Sequence, residues 1–250
     1  MFETDPRGVF VGPPDGPGQA PGPSADLEPR WTPSSALVAL VAAIFASLLV
    51  AAALAGIFVA AGAEADHLDS SPGFTLTGTL FQDLLFVVAA LVTASQFSRP
   101  TAAQFGFRRV GLSALGWAAL AFAAFIVAAQ VYGSLIHIPK DDLPFAENPS
   151  TAVAIATGIF VIGIAPTVEE FFFRGFLYQA LRGRLGVALG AVTSGVIFGA
   201  VHLEAPAQMG VLAILGVILA LLFERTKSLW PCILLHALNN AIAFQYVLSH

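Results

Sequence analysis

Seven long apolar runs separated by short polar loops leave this chain few ways to fold. They lie at about 35–62, 76–97, 110–137, 152–181, 187–206, 208–224 and 229–247. As helices rising about 1.5 Å per residue, runs of this length cross roughly 30 Å of hydrocarbon. Composition points the same way. The chain is 57% hydrophobic and 11% charged, where a soluble domain carries about a quarter charged residues, and its mean hydropathy is +0.81. The expectation is an all-α polytopic membrane protein with about seven transmembrane helices, eight being the alternative count.

Three regions follow from the pattern. Residues 1–33 hold eight of the sixteen prolines and read as a disordered cytoplasmic tail. The tail's acidic start at Glu3 and Asp5 is not that of a signal peptide. Residues 34–149 form the N-terminal transmembrane helices, and 150–250 form a transmembrane core that carries the polar motifs.

Basic residues set the orientation. With a cytoplasmic N-terminus, Arg30, Arg99, Arg108, Arg109, Arg182, Arg184, Arg225 and Lys227 all fall on the cytoplasmic side, against Lys140 alone on the other. This is the asymmetry of a multi-pass protein of the cell membrane. A single cysteine, Cys232, excludes an intramolecular disulfide and a cysteine metal cluster; it reads as a small buried apolar side chain. No basic cluster is interleaved with aromatics, so nucleic acid is not an expected partner. The expected partners are membrane lipid and a protein or peptide substrate. Asp83, His137 and His67 read as residues at water boundaries.

The fourth run holds the sharpest feature, Glu169, Glu170 and Arg174 within six residues of apolar sequence. Ionisable residues at membrane depth cost a few kcal/mol or more. On a helix Glu170 and Arg174 stand at i and i+4 and can pair, whereas Glu169 is turned about 100° away and has no partner in its own segment. The fifth run places Phe198 and His202 four apart, after a small-xxx-small pair, Gly195 and Gly199, that admits a close neighbour helix. The seventh places His236 and Asn240 one turn apart.

Depth decides whether these residues can meet. By helical rise, Glu169 lies about 18 Å and His202 about 22 Å above the cytoplasmic ends of their runs, and His236 and Asn240 about 10 and 16 Å into theirs. Given helix tilt, the four share a layer near mid-membrane. Such a layer suits hydrolysis, which needs a base beside a water and donors aimed at the oxyanion that forms. Glu169 is the candidate base, with His202 holding the same water, and His236 and Asn240 are the candidate donors. A second arrangement makes Glu169, His202 and His236 the ligands of a Zn²⁺ ion with an open fourth position. Both remain open at this point. A non-catalytic binding or immunity scaffold, or a solute carrier using the same layer, is the rival reading.

Read together, EExxxR (Glu169, Glu170, Arg174), FxxxH (Phe198, His202) and HxxxN (His236, Asn240) resemble the motifs of the CPBP family of intramembrane proteases, also called the ABI or type II CAAX prenyl endopeptidase family. The resemblance covers about residues 150–245. It implies motif-bearing helices around a water-filled cavity and an intramembrane endopeptidase in which Glu169 and His202 activate water and His236 and Asn240 stabilise the oxyanion. Glu170, Arg174 and Phe198 would support them. The metalloprotease and the metal-independent glutamate protease are both compatible with it.

Overall fold

The computed structural model describes residues 29–68, 71–136, 150–202 and 206–249. The tail up to residue 28, the loop residues 137–149 with His137 and Lys140, and His250 lie outside the described residues. All regular structure described is helical: α1 (Pro33–Ala60), α2 (Pro72–Ser95), α3 (Ser113–Leu135), α4 (Thr151–Ile159), α5 (Ala165–Glu170), α6 (Gln179–Ala200), α7 (Met209–Thr226) and α8 (Leu229–Ser249). Two π-helical stretches, Phe160–Ile164 and Phe171–Tyr178, join α4 to α5 and α5 to α6.

Among the described residues, six helical segments are long and apolar enough to cross a membrane. The run Thr151–Ala200 counts as one of them but is folded on itself, so the six segments agree with the expectation of about seven crossings. Gly186 takes φ 75° and ψ 178° inside it, a backbone conformation that disfavours any side chain. The chain reverses there, so that a Cβ at Gly190 would sit 3.0 Å from the Arg182 Cα. Ser194 Oγ on the returning leg then donates to the Phe173 carbonyl at 3.4 Å. Two antiparallel legs thus make up the one run.

Local sequence explains the starts. Thr32 caps α1 by accepting from Ser35 N, Ser35 Oγ accepts from Thr32 N, and Pro33 fills the first turn, a reciprocal cap that satisfies orphan amides. The buried face of α1 is Ala36, Ala39, Leu40 and Ala43, a helical stripe of mostly small residues that lets α2 lie close. Large side chains on the outer faces, such as Val38, Phe45, Leu84 and Val127, are exposed, as a lipid-facing surface requires.

The axis of the bundle is the π-helical stretch Phe171–Tyr178. Every residue from Glu170 to Leu181 is buried, because α1, α2, α6, α7 and α8 all pack around it. Phe172 meets Phe86 of α2 edge-on at 4.6 Å, and Phe173 meets Phe198 of α6 at 5.0 Å. Helices α6 and α7 approach through glycine. A Cβ at Gly195 would lie 2.6 Å from the Val217 amide, and Gly216 abuts the Gly195 backbone in turn. Tight backbone contact replaces side-chain interdigitation at this seam.

One end of the bundle gathers the basic residues. Trp31 Nε1 donates to the Phe176 carbonyl at 3.0 Å, with its ring stacked against Phe105 and Phe176. Gln179 Nε2 donates to the Gln104 carbonyl at 2.9 Å and Ser228 Oγ to the Arg108 carbonyl at 2.7 Å. Arg182 pairs with Glu224 at 2.7 Å, and Arg225 lies 4.5 Å over the Trp117 ring. These ties bring the segments bearing Arg30, Arg99, Arg108, Arg109, Arg182, Arg184, Arg225 and Lys227 to one face.

Candidate active site

A cavity of about 370 Å³ lies between α2, α4, α5, the end of α6, α7 and α8. Glu169, His202, His236 and Asn240 all line it. Glu170 and Arg174 are fully buried just beneath.

The two adjacent glutamates have different surroundings. Glu170 Oε1 accepts from Arg174 Nη1 at 2.8 Å and from His236 Nδ1 at 2.9 Å. Arg174 in turn donates Nη2 to the Gly216 carbonyl at 3.2 Å, and its guanidinium lies 4.5 Å over the Phe198 ring. Glu169 is half-buried and its Oε2 has no hydrogen-bond partner. The nearest cationic or imidazole nitrogen recorded for it is His236 Nε2 at 3.8 Å, too long for a direct hydrogen bond and suited to a bridging water.

The hydrogen bonds fix both imidazoles. A carboxylate and a backbone carbonyl only accept, so the ring nitrogens that meet them carry the hydrogens. His236 Nδ1 donates to Glu170, and His202 Nδ1 donates to the Phe198 carbonyl at 2.8 Å. In its neutral form each ring then carries its lone pair on Nε2. In His236 that lone pair faces Glu169. Phe198 contacts both rings, at 4.9 Å from His202 and 5.7 Å from His236, which ties the aromatic of the second motif to all three charged or imidazole groups.

Asn240 is held by the first π-helical stretch. Its Nδ2 donates to the Val161 carbonyl at 2.9 Å, and its Oδ1 accepts from Asn239 at 3.3 Å. One amide hydrogen is left. Wide π turns recur at functional sites because they redirect backbone groups, and two of them flank Glu169 and Glu170.

Asp83 corrects the reading of a boundary residue. It is 5% exposed, lines the same cavity, and its Oδ2 has no partner. With Thr75, Thr79 and Gln82 it forms a polar stripe along α2 facing the motif residues. The 75/79/82/83 spacing is a helical face, a signal that was available in the sequence. His67 is exposed beside Glu64 and far from this chemistry in the chain, and Cys232 is buried.

Donor spacing tests the metal. Among the described residues, the group of three donors whose ligand atoms lie within 4.8 Å of one another is the exposed set Glu64, Asp66 and His67. Glu169, His202 and His236 do not form such a group, whereas a tetrahedral ion needs all its ligands at about 2.0–2.2 Å. The three residues do not fit a shared Zn²⁺ in this conformation.

Residues 150–242 match the family model described as type II CAAX prenyl endopeptidase Rce1-like. The chain is also 31% identical over 77 residues to the "Putative membrane peptidase YdiL" of Bacillus subtilis (strain 168), a stretch covering 31% of each chain. The match thus spans about a third of that relative's length. No solved structure matches. Residues 150–242, the part of the chain that this family model matches, carry all three motifs that line the cavity.

Proposed function

We propose that this protein is an intramembrane endopeptidase in which Glu169 activates a water without a metal. The observation that carries the reading is the pairing of roles within one carboxylate doublet. Glu170 is spent on Arg174 and His236, while Glu169 Oε2 stands unpartnered on the cavity wall, 3.8 Å from His236 Nε2.

A peptide carbonyl entering the cavity meets a water held by Glu169 and by the His202 Nε2 lone pair. Glu169 takes one proton as the water oxygen bonds to the carbonyl carbon. The carbonyl π electrons move to oxygen, where the remaining Asn240 amide hydrogen stabilises the charge. His236, its Nδ1 anchored on Glu170, receives the proton from Glu169 on Nε2, adds a second donor to the oxyanion, and returns the proton to the leaving nitrogen as the C–N bond breaks. Half-burial strengthens each of these electrostatic contacts relative to water.

The test is a library of internally quenched peptides incubated with the purified full chain, with products mapped by mass spectrometry. Cleavage at defined bonds is expected. Binding of peptides without any hydrolysis would favour the scaffold reading.

A further inference from the structure

We propose that the cavity receives its peptide from the non-cytoplasmic face of the membrane. This rests on the peptidase reading above for the word peptide, but the access route stands on geometry.

The cavity is asymmetric along the bundle. Its lining includes Thr75 and Thr79 in the first two turns of α2, His202 just past the end of α6, Gln208 just ahead of α7, and Thr157 in the second turn of α4. All of these lie at one end. Tyr132 near the end of α3 donates to the Ala207 carbonyl at 3.2 Å, and Phe58 near the end of α1 meets Phe74 at the start of α2, so those termini share that face. Along its wall Thr75 is exposed, Thr79 and Glu169 are half-buried, and Asp83 and His236 are buried, while Gln82 stays exposed.

The other end is shut. Phe172 and Phe173 floor the cavity, and the buried stretch down to Leu181 lies beneath them, with Trp31 and Phe105 packed at its side. That closed end is the one holding the eight basic residues. Since cytoplasmic loops collect Lys and Arg, the shut end is cytoplasmic and the open end is not.

The experiment is labelling of single cysteines by a membrane-impermeant thiol reagent in intact cells making the full chain. Thr75→Cys and Thr79→Cys probe the open end, Gly183→Cys probes the basic end, and the unsubstituted protein, whose Cys232 is buried, gives the background. Both threonine-position variants are expected to label in intact cells as fully as after permeabilisation, and Gly183→Cys only after permeabilisation. The reverse pattern overturns the proposal, as does failure of Thr79→Cys to label under either condition. Labelling needs no turnover, so a protein that labels as expected but cleaves no peptide would refute the peptidase reading and leave the access route standing.

Discussion

His236 Nδ1 lies 2.9 Å from Glu170 Oε1, the oxygen that also receives Arg174. The second glutamate of the doublet thereby holds the histidine of the last motif as well as the arginine of its own. On the proposed reading it orients the ring: with Nδ1 held by Glu170, His236 directs Nε2 into the cavity.

Glu170→Gln should therefore damage both stability and chemistry. Arg174 is left buried without a counter-charge, and breaking a buried pair costs about 3–5 kcal/mol. The melting temperature in detergent should fall markedly, and turnover per folded molecule should fall as His236 loses its anchor. A variant as stable as the wild type would remove the ion pair from the account.

Asp83→Asn should behave in the opposite sense for stability. A buried carboxyl with an unpartnered oxygen is costly, so replacing it should leave the melting temperature unchanged or raise it. Peptide turnover should drop, because α2 then presents an amide where the cavity holds a carboxyl. Unchanged turnover would make Asp83 a bystander of the cavity.

Gly195→Val should disrupt the α6–α7 seam, where even one methyl group would lie 2.6 Å from the Val217 amide. Overpacking costs about 1–3 kcal/mol and occasionally more, and here the obstacle is backbone that cannot rotate away. Low yield and early unfolding in detergent are expected; a normal melting curve would show that the helices can part without loss.

The Glu170–Arg174 pair was legible in the sequence because i,i+4 spacing is local, and so was the glycine seam. The tie from Glu170 to His236 was not, since the two are 66 positions apart and either histidine nitrogen fitted the linear reading. Helical rise set Glu169, His202, His236 and Asn240 at one depth, and the structure places all four on one cavity. Asp83 was misjudged because a single acid near a span end was weighed alone and not with Thr75, Thr79 and Gln82 on its own face. The reversal at Gly186 separates the two apolar runs that the sequence shows, whereas the π-helical turns around the doublet have no marker in residue type.

Metal dependence is read from donor spacing. Glu169, His202 and His236 are not gathered as a shared ion requires, so protein stripped by chelator and shown metal-free by elemental analysis should retain its turnover. Activity that vanishes on stripping and returns with Zn²⁺ would require the three side chains to close around an ion.

The central claim is that Glu169, and not its neighbour, moves the proton. Glu169→Gln keeps the size and polarity of the side chain and breaks no ion pair with Arg174. Its turnover of a cleaved peptide, measured beside its melting temperature in one detergent, is the most direct test. The account predicts a normal melting temperature and a loss of about 10²–10⁴ in rate, the contribution of a general base. Near-native turnover in a folded Glu169→Gln protein would contradict it.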